Sequence, residues 1–378
     1  MPAFAANPRY IQKMLNDESI LRGTLHVFVA FDWGDEINLE RARQLLPTQS
    51  EELARRRRTP SSIGYRPAPL RYPLRVPPIT LPELDAVQTA AEAIVFDFGG
   101  VSVSLQIPFA LTAAALARLA GALADPQSLV DTARSATAEL FQKLRPAIQD
   151  PDWSPLGEEY FVFQIPPCDA VPPPEALLEN HAGWLAGLVR LESEPLSSSE
   201  IEAALQSRIS YTPGDVLLAA WSASVLIDRD CEETLQAIEF ANLQLLEYRY
   251  IDNLLDERLA AAYTTIHRTV QRVLPFWRSH SRPLRQLGEL RIDAINLFER
   301  TTNALKMVGD QYLARVYRMI AARFHLNEWE QSIRASLDVV EGAYQVVSDQ
   351  SSTVRVELLE ITVILLIALE ILLALFRH

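Results

Sequence analysis

The chain has 378 residues, of which 49% are hydrophobic and 22% are charged. This balance is typical of a globular protein with room for two domains, and it excludes an intrinsically disordered chain. The formal net charge of −13 argues against a general nucleic-acid-binding protein, because most of the surface would repel phosphates. We therefore expect no specific DNA binding.

The front half of the chain combines strand-like and helix-like segments after an N-terminal segment at 1–22. Runs of β-branched and aromatic residues predict strands at 24–32, 93–98, 101–107 and 160–165. Helical patterns follow between and after them, at 109–124, 127–147 and 174–188. Gly99-Gly100 predicts the tight turn of a hairpin, and the Pro/Arg-rich segment 55–82 predicts a surface loop. Together these patterns predict an α+β domain with a mixed or antiparallel sheet at 23–228.

The rear half, residues 229–355, carries apolar residues at steps of three and four, which is the pattern of long amphipathic helices. One series begins after Asp230 and ends at Pro275, and a second begins near Pro283. A third begins at Trp329. Long helices with short connections predict a helical hairpin or coiled-coil stalk, and we expect it to form a homo-oligomer.

The last segment, residues 356–376, has 17 apolar residues out of 21. About 20 residues of helix span the ~30 Å hydrocarbon layer of a bilayer, so we predict one C-terminal transmembrane helix. Glu360 and Glu370 are then polar contacts of the membrane helix. This predicts a tail-anchored protein of the bacterial inner membrane with a cytoplasmic body. The alternative is that the segment is the buried end of a bundle helix.

The residues that usually carry catalysis or bind metals form no recognisable motif. Cys168 and Cys231 have no CxxC spacing, and the six histidines include no pair at ligand spacing. Walker A, GxGxxG, HExxH and GxSxG sequences are all absent from the sequence. The sequence therefore predicts no cofactor, no metal and no catalytic residue, and it favours a protein that is not an enzyme.

One run of basic residues is a candidate for binding anions. Arg55, Arg56, Arg57 and Arg58 follow each other directly before the proline-rich stretch. Such a run could bind anionic lipid headgroups or RNA phosphates. The alternative is a solvated helix end without a partner.

Three segments carry a resemblance to a known family. They are AEAIVFDFGGVSVSLQIPF at 91–109, ANLQLLEYRYIDNLLDERL at 241–259 and LLEITVILLIALEILL at 358–373. In these segments the chain resembles the required-for-meiotic-nuclear-division family, also called domain-of-unknown-function family 155, as a diverged bacterial-type member. The resemblance implies a C-terminal membrane helix with internal glutamates, a link to the ribosome and translation, and no enzymatic activity.

These predictions lead to one functional hypothesis and two alternatives. The leading hypothesis is a non-enzymatic membrane-anchored scaffold that tethers a cytoplasmic partner, such as a ribosome, to the lipid bilayer. The first alternative is a membrane-bound enzyme with its site in the α/β domain around Asp32, Trp33 and Asp97. The second is a soluble helical oligomer, in which neighbouring chains enclose the last helix.

Overall fold

The computed structural model describes residues 19–46, 63–65, 67–168, 171–270, 305–307 and 311–376, with isolated helical positions between 285 and 299. In the last helix, side chains are described for residues 326–345 and 362–369. The chain divides into two compact units. The first contains Met1–Glu247 and Arg300–Asn327, and the second contains Tyr248–Glu299 and Glu328–His378.

The first unit is built on an eight-stranded mixed sheet. Its strands are β1 (Ile20–Asp32), β4 (Leu70–Leu74), β7 (Ala90–Val95), β8 (Gly100–Thr112), β10 (Glu158–Gln164), β11 (Arg208–Ile209), β12 (Val216–Ala219) and β13 (Ala223–Ile227). The strand order is β11-β12-β13-β10-β1-β8-β7-β4. Neighbouring strands are antiparallel except β10 and β13, which run parallel. The mixed sheet predicted from the sequence is therefore confirmed.

Smaller strand pairs and helices complete the unit. The remaining strands are β2 (Glu36–Ile37), β3 (Ile63–Tyr65), β5 (Ile79–Leu81), β6 (Leu84–Val87), β9 (Ile148–Gln149) and β14 (Leu305–Met307). The helices are α1 (Leu39–Leu45), α2 (Ala113–Ala122), α3 (Gln127–Leu144), α4 (Pro174–Asn180), α5 (Ala182–Arg190), α6 (Ser198–Leu205), the start of α7 (Glu232–Val270) and α8 (Gln311–Arg323).

The hairpin predicted around Gly99-Gly100 is confirmed. Strands β7 and β8 pair antiparallel, and Val95 lies opposite Val101. Gly99 has a φ of +99°, which L-residues with a Cβ rarely adopt. Its turn also approaches the backbone of Gly34 so closely that a Cβ on Gly99 would lie 1.8 Å from the Gly34 carbonyl oxygen. A glycine is therefore required at position 99.

The predicted loop at 55–82 is partly wrong, because the structure forms strands β3, β4 and β5 within it. β4 contains Pro73 and lies at the edge of the large sheet, next to β7. An edge strand tolerates proline because one side of its backbone has no strand to pair with. Proline content alone therefore did not identify this strand. Arg55, Arg56, Arg57 and Arg58 lie outside the described residues.

The two faces of the sheet differ in chemistry. Side chains alternate along a strand, so the odd-numbered residues of β1 share one face and the even-numbered residues share the other. Leu25, Val27 and Val29 on the first face belong to a large apolar core with side chains of α2, α3 and α5. On the second face lies α7, whose residues 236–248 are all buried.

The second unit contains the rest of α7 and most of α9 (Leu326–Phe376). Ser332 on α9 donates a hydrogen bond to Asp252 on α7 at 3.1 Å, and Arg334 lies over the ring of Phe298 at 5.1 Å. Ile333 and Val340 are fully buried. Two long helices of the rear half, α7 and α9, are described as expected. The second predicted series, which begins near Pro283, is interrupted at Leu305–Met307, because these residues form β14 and pair with β3.

The prediction of a C-terminal transmembrane helix is wrong. Within the described part of the chain, no helix is both long enough and apolar enough to cross a membrane. The same finding contradicts the predictions that depend on this helix, namely the tail anchor, the inner-membrane localisation and the membrane-anchored scaffold. The side chains of Glu360 and Glu370 lie outside the described residues.

Candidate functional site

The candidate site is a cleft between the second face of the sheet and the first turns of α7. Strand β8 places Ser102, Ser104 and Gln106 on this face, because they stand at alternate positions. Gln106 is paired with His26 of β1, and Ser104 is paired with Phe28. This face of the sheet therefore presents polar groups to a buried helix.

The cleft has a volume of about 400 Å³, which lies within the usual range for small-molecule sites. Its lining consists of His26, Phe28, Arg71, Glu92, Ile94, Ser104, Gln106, Gln164, Arg229, Asp230, Cys231, Glu232, Leu235, Gln236 and Glu239. Five strands contribute side chains to it, namely β1, β4, β7, β8 and β10, and α7 with the residues before it closes the other side. All of these residues belong to the first unit.

His26 is the imidazole of the cleft and is 6% exposed. Its Nε2 lies 2.9 Å from the side-chain oxygen of Gln164, so this nitrogen carries the hydrogen when the amide oxygen accepts. Burial lowers the pKa of His26, and the hydrogen bond to Gln164 offsets only part of this effect. His26 is therefore neutral at pH 7.

Charged groups on the cleft wall interact closely. Arg71 forms a salt bridge with Glu92 at 2.9 Å. Burial acts to lower the pKa of Arg71, but Glu92 and Glu239 together raise it above its ordinary value. Glu239 also accepts a hydrogen bond from Ser102 at 2.7 Å. One guanidinium thus lies in the field of two carboxylates, which leaves this wall with negative charge.

The lining as a whole carries a net negative charge. Four carboxylates and two guanidiniums face the cleft, and the imidazole adds no charge at pH 7. The second guanidinium, that of Arg229, donates to the carbonyl oxygen of Pro167 at 3.2 Å. A polar site with an excess of carboxylates attracts molecules that carry positive charge.

Cys231 is the thiol of the cleft and lies at the start of α7. It is 5% exposed, and burial followed by the charge of Asp228 raises its pKa to about 12. A thiol becomes a nucleophile or a metal ligand only as a thiolate, so Cys231 is unreactive at neutral pH. Within the described ranges, no group of three or more His, Cys, Asp or Glu side chains could hold a metal ion.

The structure also locates the residues of the alternative enzyme site. Asp32 and Trp33 are 1% and 0% exposed, and Trp33 packs against Phe141 and Trp153 at ring distances of 5.4 and 5.6 Å. Asp97 lies in the turn before Gly99, where its carbonyl oxygen accepts from the Ile37 N–H at 2.8 Å. Two of the three are thus closed off from solvent, and none of them lines the cleft.

The cleft residues form no motif that could be recognised from the sequence. The signal was present in the alternation VSVSLQI at 101–107, where serine and glutamine occupy every second position. Such alternation normally indicates a face in contact with water. Only the three-dimensional structure shows that α7 covers this face.

Comparison with known proteins gives the family of the chain. Residues 22–233 match the family described as "Uncharacterized protein MJ0711, N-terminal domain". The uncharacterized protein MJ0711 of Methanocaldococcus jannaschii is 28% identical over 206 residues, which are 54% of this chain and 62% of that protein. The chain thus spans less than two thirds of the relative's length, and no solved structure matches it.

These names describe no activity, and none of them tests the resemblance to the required-for-meiotic-nuclear-division family, which stays a prediction. The matched residues hold the large sheet and most of the cleft lining, and they make up more than half of the chain. The chain belongs to the family of the MJ0711 N-terminal domain.

Proposed function

We propose that the first unit is a binding domain for a small polar molecule that carries a positive charge. The observation behind this proposal is the 400 Å³ cleft, whose wall combines buried polar side chains with an excess of carboxylates. Polar groups on the covered face of a sheet cost stability unless they have partners, so their presence calls for an explanation beyond folding.

The geometry suggests how such a molecule would be held. Glu239 is 7% exposed and lies in the cleft lining, where an ammonium or guanidinium group of the ligand can donate to its carboxylate. The ring of Phe28 lies in the same lining, and aromatic rings attract cations. Ser104 and Gln106 supply hydroxyl and amide groups for the neutral part of the molecule.

Binding without catalysis is favoured by the state of the reactive groups. His26 already bonds to Gln164, and Cys231 holds its proton at neutral pH. A catalytic thiol or imidazole is usually activated by a neighbouring base or by a lowered thiol pKa. The surroundings of these two residues are different: the pKa of Cys231 is raised, and the imidazole of His26 is hydrogen-bonded to the amide of Gln164.

A substitution that fills the cleft with a larger side chain tests this proposal. The full chain and a Ser104→Phe variant are incubated with a cell extract, separated from unbound compounds, and analysed by mass spectrometry for retained small molecules. Ser128→Phe, at an exposed position of α3, is the matched control. We expect cationic compounds to be retained by the unmodified chain and by Ser128→Phe, and to be lost in Ser104→Phe. Retention of the same compounds by all three proteins, or by none, contradicts the proposal.

A second role, self-association through α9, is favoured by a separate observation. Six large apolar side chains near its end are between 48% and 64% exposed, namely Val363, Ile364, Leu365, Leu366, Ile367 and Leu369. A contiguous apolar surface of this kind marks an interaction site, and a second copy of the chain offers the same apolar surface in return.

Sedimentation equilibrium of the full chain tests this role. We expect an oligomer that dissociates in the Leu365→Ser/Leu366→Ser variant. Val339→Ser, which changes another exposed apolar residue of α9, is the control and should leave the oligomer intact. A monomer at every concentration would contradict self-association, and so would binding of the unmodified chain to phospholipid vesicles in place of oligomers.

A further inference from the structure

Two carboxyl groups outside the cleft are buried without a conventional partner. Asp32, at the end of β1, is 1% exposed, and Glu247, on α7, is 0% exposed. Among the residues that the structure describes, no donor lies in hydrogen-bond geometry to any of their four side-chain oxygens. Desolvation of an unpaired carboxylate is costly, so folded proteins rarely tolerate one. A pair of them at one place requires a counter-charge or a proton.

The two carboxyl groups meet at the glycine turn of the hairpin. Asp32 is paired with Gly100 across β1 and β8. A Cβ on Gly100 would lie 2.7 Å from Oε1 of Glu247, and a Cβ on Gly99 would lie 3.3 Å from Oδ2 of Asp32. Gly99 and Gly100 therefore leave room for both carboxyl groups, and the negative charge of Asp32 acts directly on Glu247.

The charged groups that the structure describes around the pair do not neutralise it. The charges that act on Asp32 from the neighbouring loops are those of Asp35 and Asp152, and both are negative. The backbone of Gly34 acts to lower the pKa of Asp32, but burial outweighs this effect. Arg134 of α3 reaches the same end of the sheet, but it donates to the carbonyl oxygens of Ser154 and Pro155 and lies over aromatic rings.

From this geometry we infer that Asp32 and Glu247 form a proton-binding pair that shares one proton in an O–H···O hydrogen bond. Two like charges in a desolvated site cannot both persist, and one shared proton removes one charge and supplies the missing hydrogen bond in the same step. The bond links α7 to the sheet at the Gly99-Gly100 turn. It works as a latch, because loss of the proton replaces an attraction between the two elements with a repulsion.

The sign of the pH dependence follows from the same pair. Burial raises the pKa of Asp32 to about 8, and burial and the charge of Asp32 raise the pKa of Glu247 well above its ordinary value. The folded chain keeps a proton that the unfolded chain has already released. Between the ordinary pKa of Asp32, 3.8, and about 8, a rise in pH therefore favours unfolding. One extra proton in the folded state increases the unfolding constant about tenfold per pH unit.

Infrared spectroscopy of the full chain detects the shared proton directly, since a protonated carboxyl group has a C=O stretch that is separate from that of a carboxylate. We expect this band at pH 7 in the unmodified chain, and its loss as the pH rises through about 8. The Asp32→Asn/Glu247→Gln variant should lack it. This variant keeps the volume of both side chains, and an amide–amide hydrogen bond can replace the shared proton, so we expect it to fold.

The Glu257→Gln variant is the matched control, because Glu257 is an exposed carboxylate on the same helix. It should keep the band, and it should keep the tenfold change in the unfolding constant per pH unit. Absence of the band at pH 7 in the unmodified chain overturns the inference. Persistence of the band in the Asp32→Asn/Glu247→Gln variant also overturns the inference, because the protonated carboxyl group would then belong to another residue. Dependence of the band on added Ca²⁺ or on a chelator would show that a cation holds the pair, which also overturns the shared proton.

Discussion

The close contact between two glycine turns leads to a sharp prediction about stability. In Gly99→Ala, the new methyl group would lie 1.8 Å from the carbonyl oxygen of Gly34, which is far inside van der Waals contact. The backbone of both turns must then move, because Gly34 also has a positive φ, +133°, and a Cβ there would lie 2.7 Å from the Asp150 carbonyl oxygen. The contact leaves no flexible side chain that could give way.

The expected cost is the sum of two effects. A non-glycine residue at a φ of +99° adds about 1–3 kcal/mol of backbone strain. Overpacking of a closed contact adds about 1–3 kcal/mol more. Gly99→Ala should therefore lower the free energy of unfolding by about 2–6 kcal/mol, which is a large part of the stability of an ordinary domain.

Urea unfolding, followed by circular dichroism and tryptophan fluorescence, measures this change. Gly157→Ala is the control, because its Cβ would lie 3.5 Å from the ring of Phe31, an ordinary contact, and its φ is not in the positive range. We expect Gly157→Ala to change the free energy of unfolding by about 1 kcal/mol or less. Equal effects of the two substitutions would refute the close approach of the turns.

Three further predictions concern buried polar groups. Tyr160→Phe removes a hydroxyl that donates to a backbone carbonyl at 3.0 Å, and it should cost about 1–3 kcal/mol in urea unfolding, whereas Tyr211→Phe at a 75% exposed position should cost little. Because burial lowers the pKa of His26, the folded chain binds that proton less readily than the unfolded chain, so the contribution of His26 to stability should decrease as the pH is lowered below about 6.5. This contribution opposes that of the Asp32–Glu247 pair, and urea unfolding of the Asp32→Asn/Glu247→Gln variant measures it alone; an NMR titration that places the His26 pKa above 6.5 would contradict it. Arg71→Met should cost about 3 kcal/mol because it leaves the Glu92 carboxylate unpaired, and adding Glu92→Met should recover part of the loss in the same measurement.

Local patterns in the sequence predicted much of the sheet. The alternation and β-branched content around Gly99-Gly100 gave the hairpin of β7 and β8, because a tight turn and its two strands are neighbours in the chain. The step-of-three-and-four pattern after Asp230 likewise gave α7, since helical contacts are local.

Features that depend on distant residues could not be predicted in this way. The parallel pairing of β10 with β13 joins strands that are separated by three helices. The meeting of Asp32 with Glu247 depends on where α7 crosses the sheet, and the cleft depends on the same crossing. The apolar composition at the end of α9 predicted a membrane helix, but composition does not determine what surrounds a helix.

The selection of positively charged molecules by the cleft is the central claim about this protein. Isothermal titration of the full chain with the compound retained in the cleft-filling experiment tests this claim most directly. Loss of a charge-assisted hydrogen bond costs about 1.5–3 kcal/mol, so Glu239→Gln should weaken binding about tenfold or more, while Glu257→Gln should leave it unchanged. An affinity that is the same in Glu239→Gln as in the unmodified chain would contradict the account.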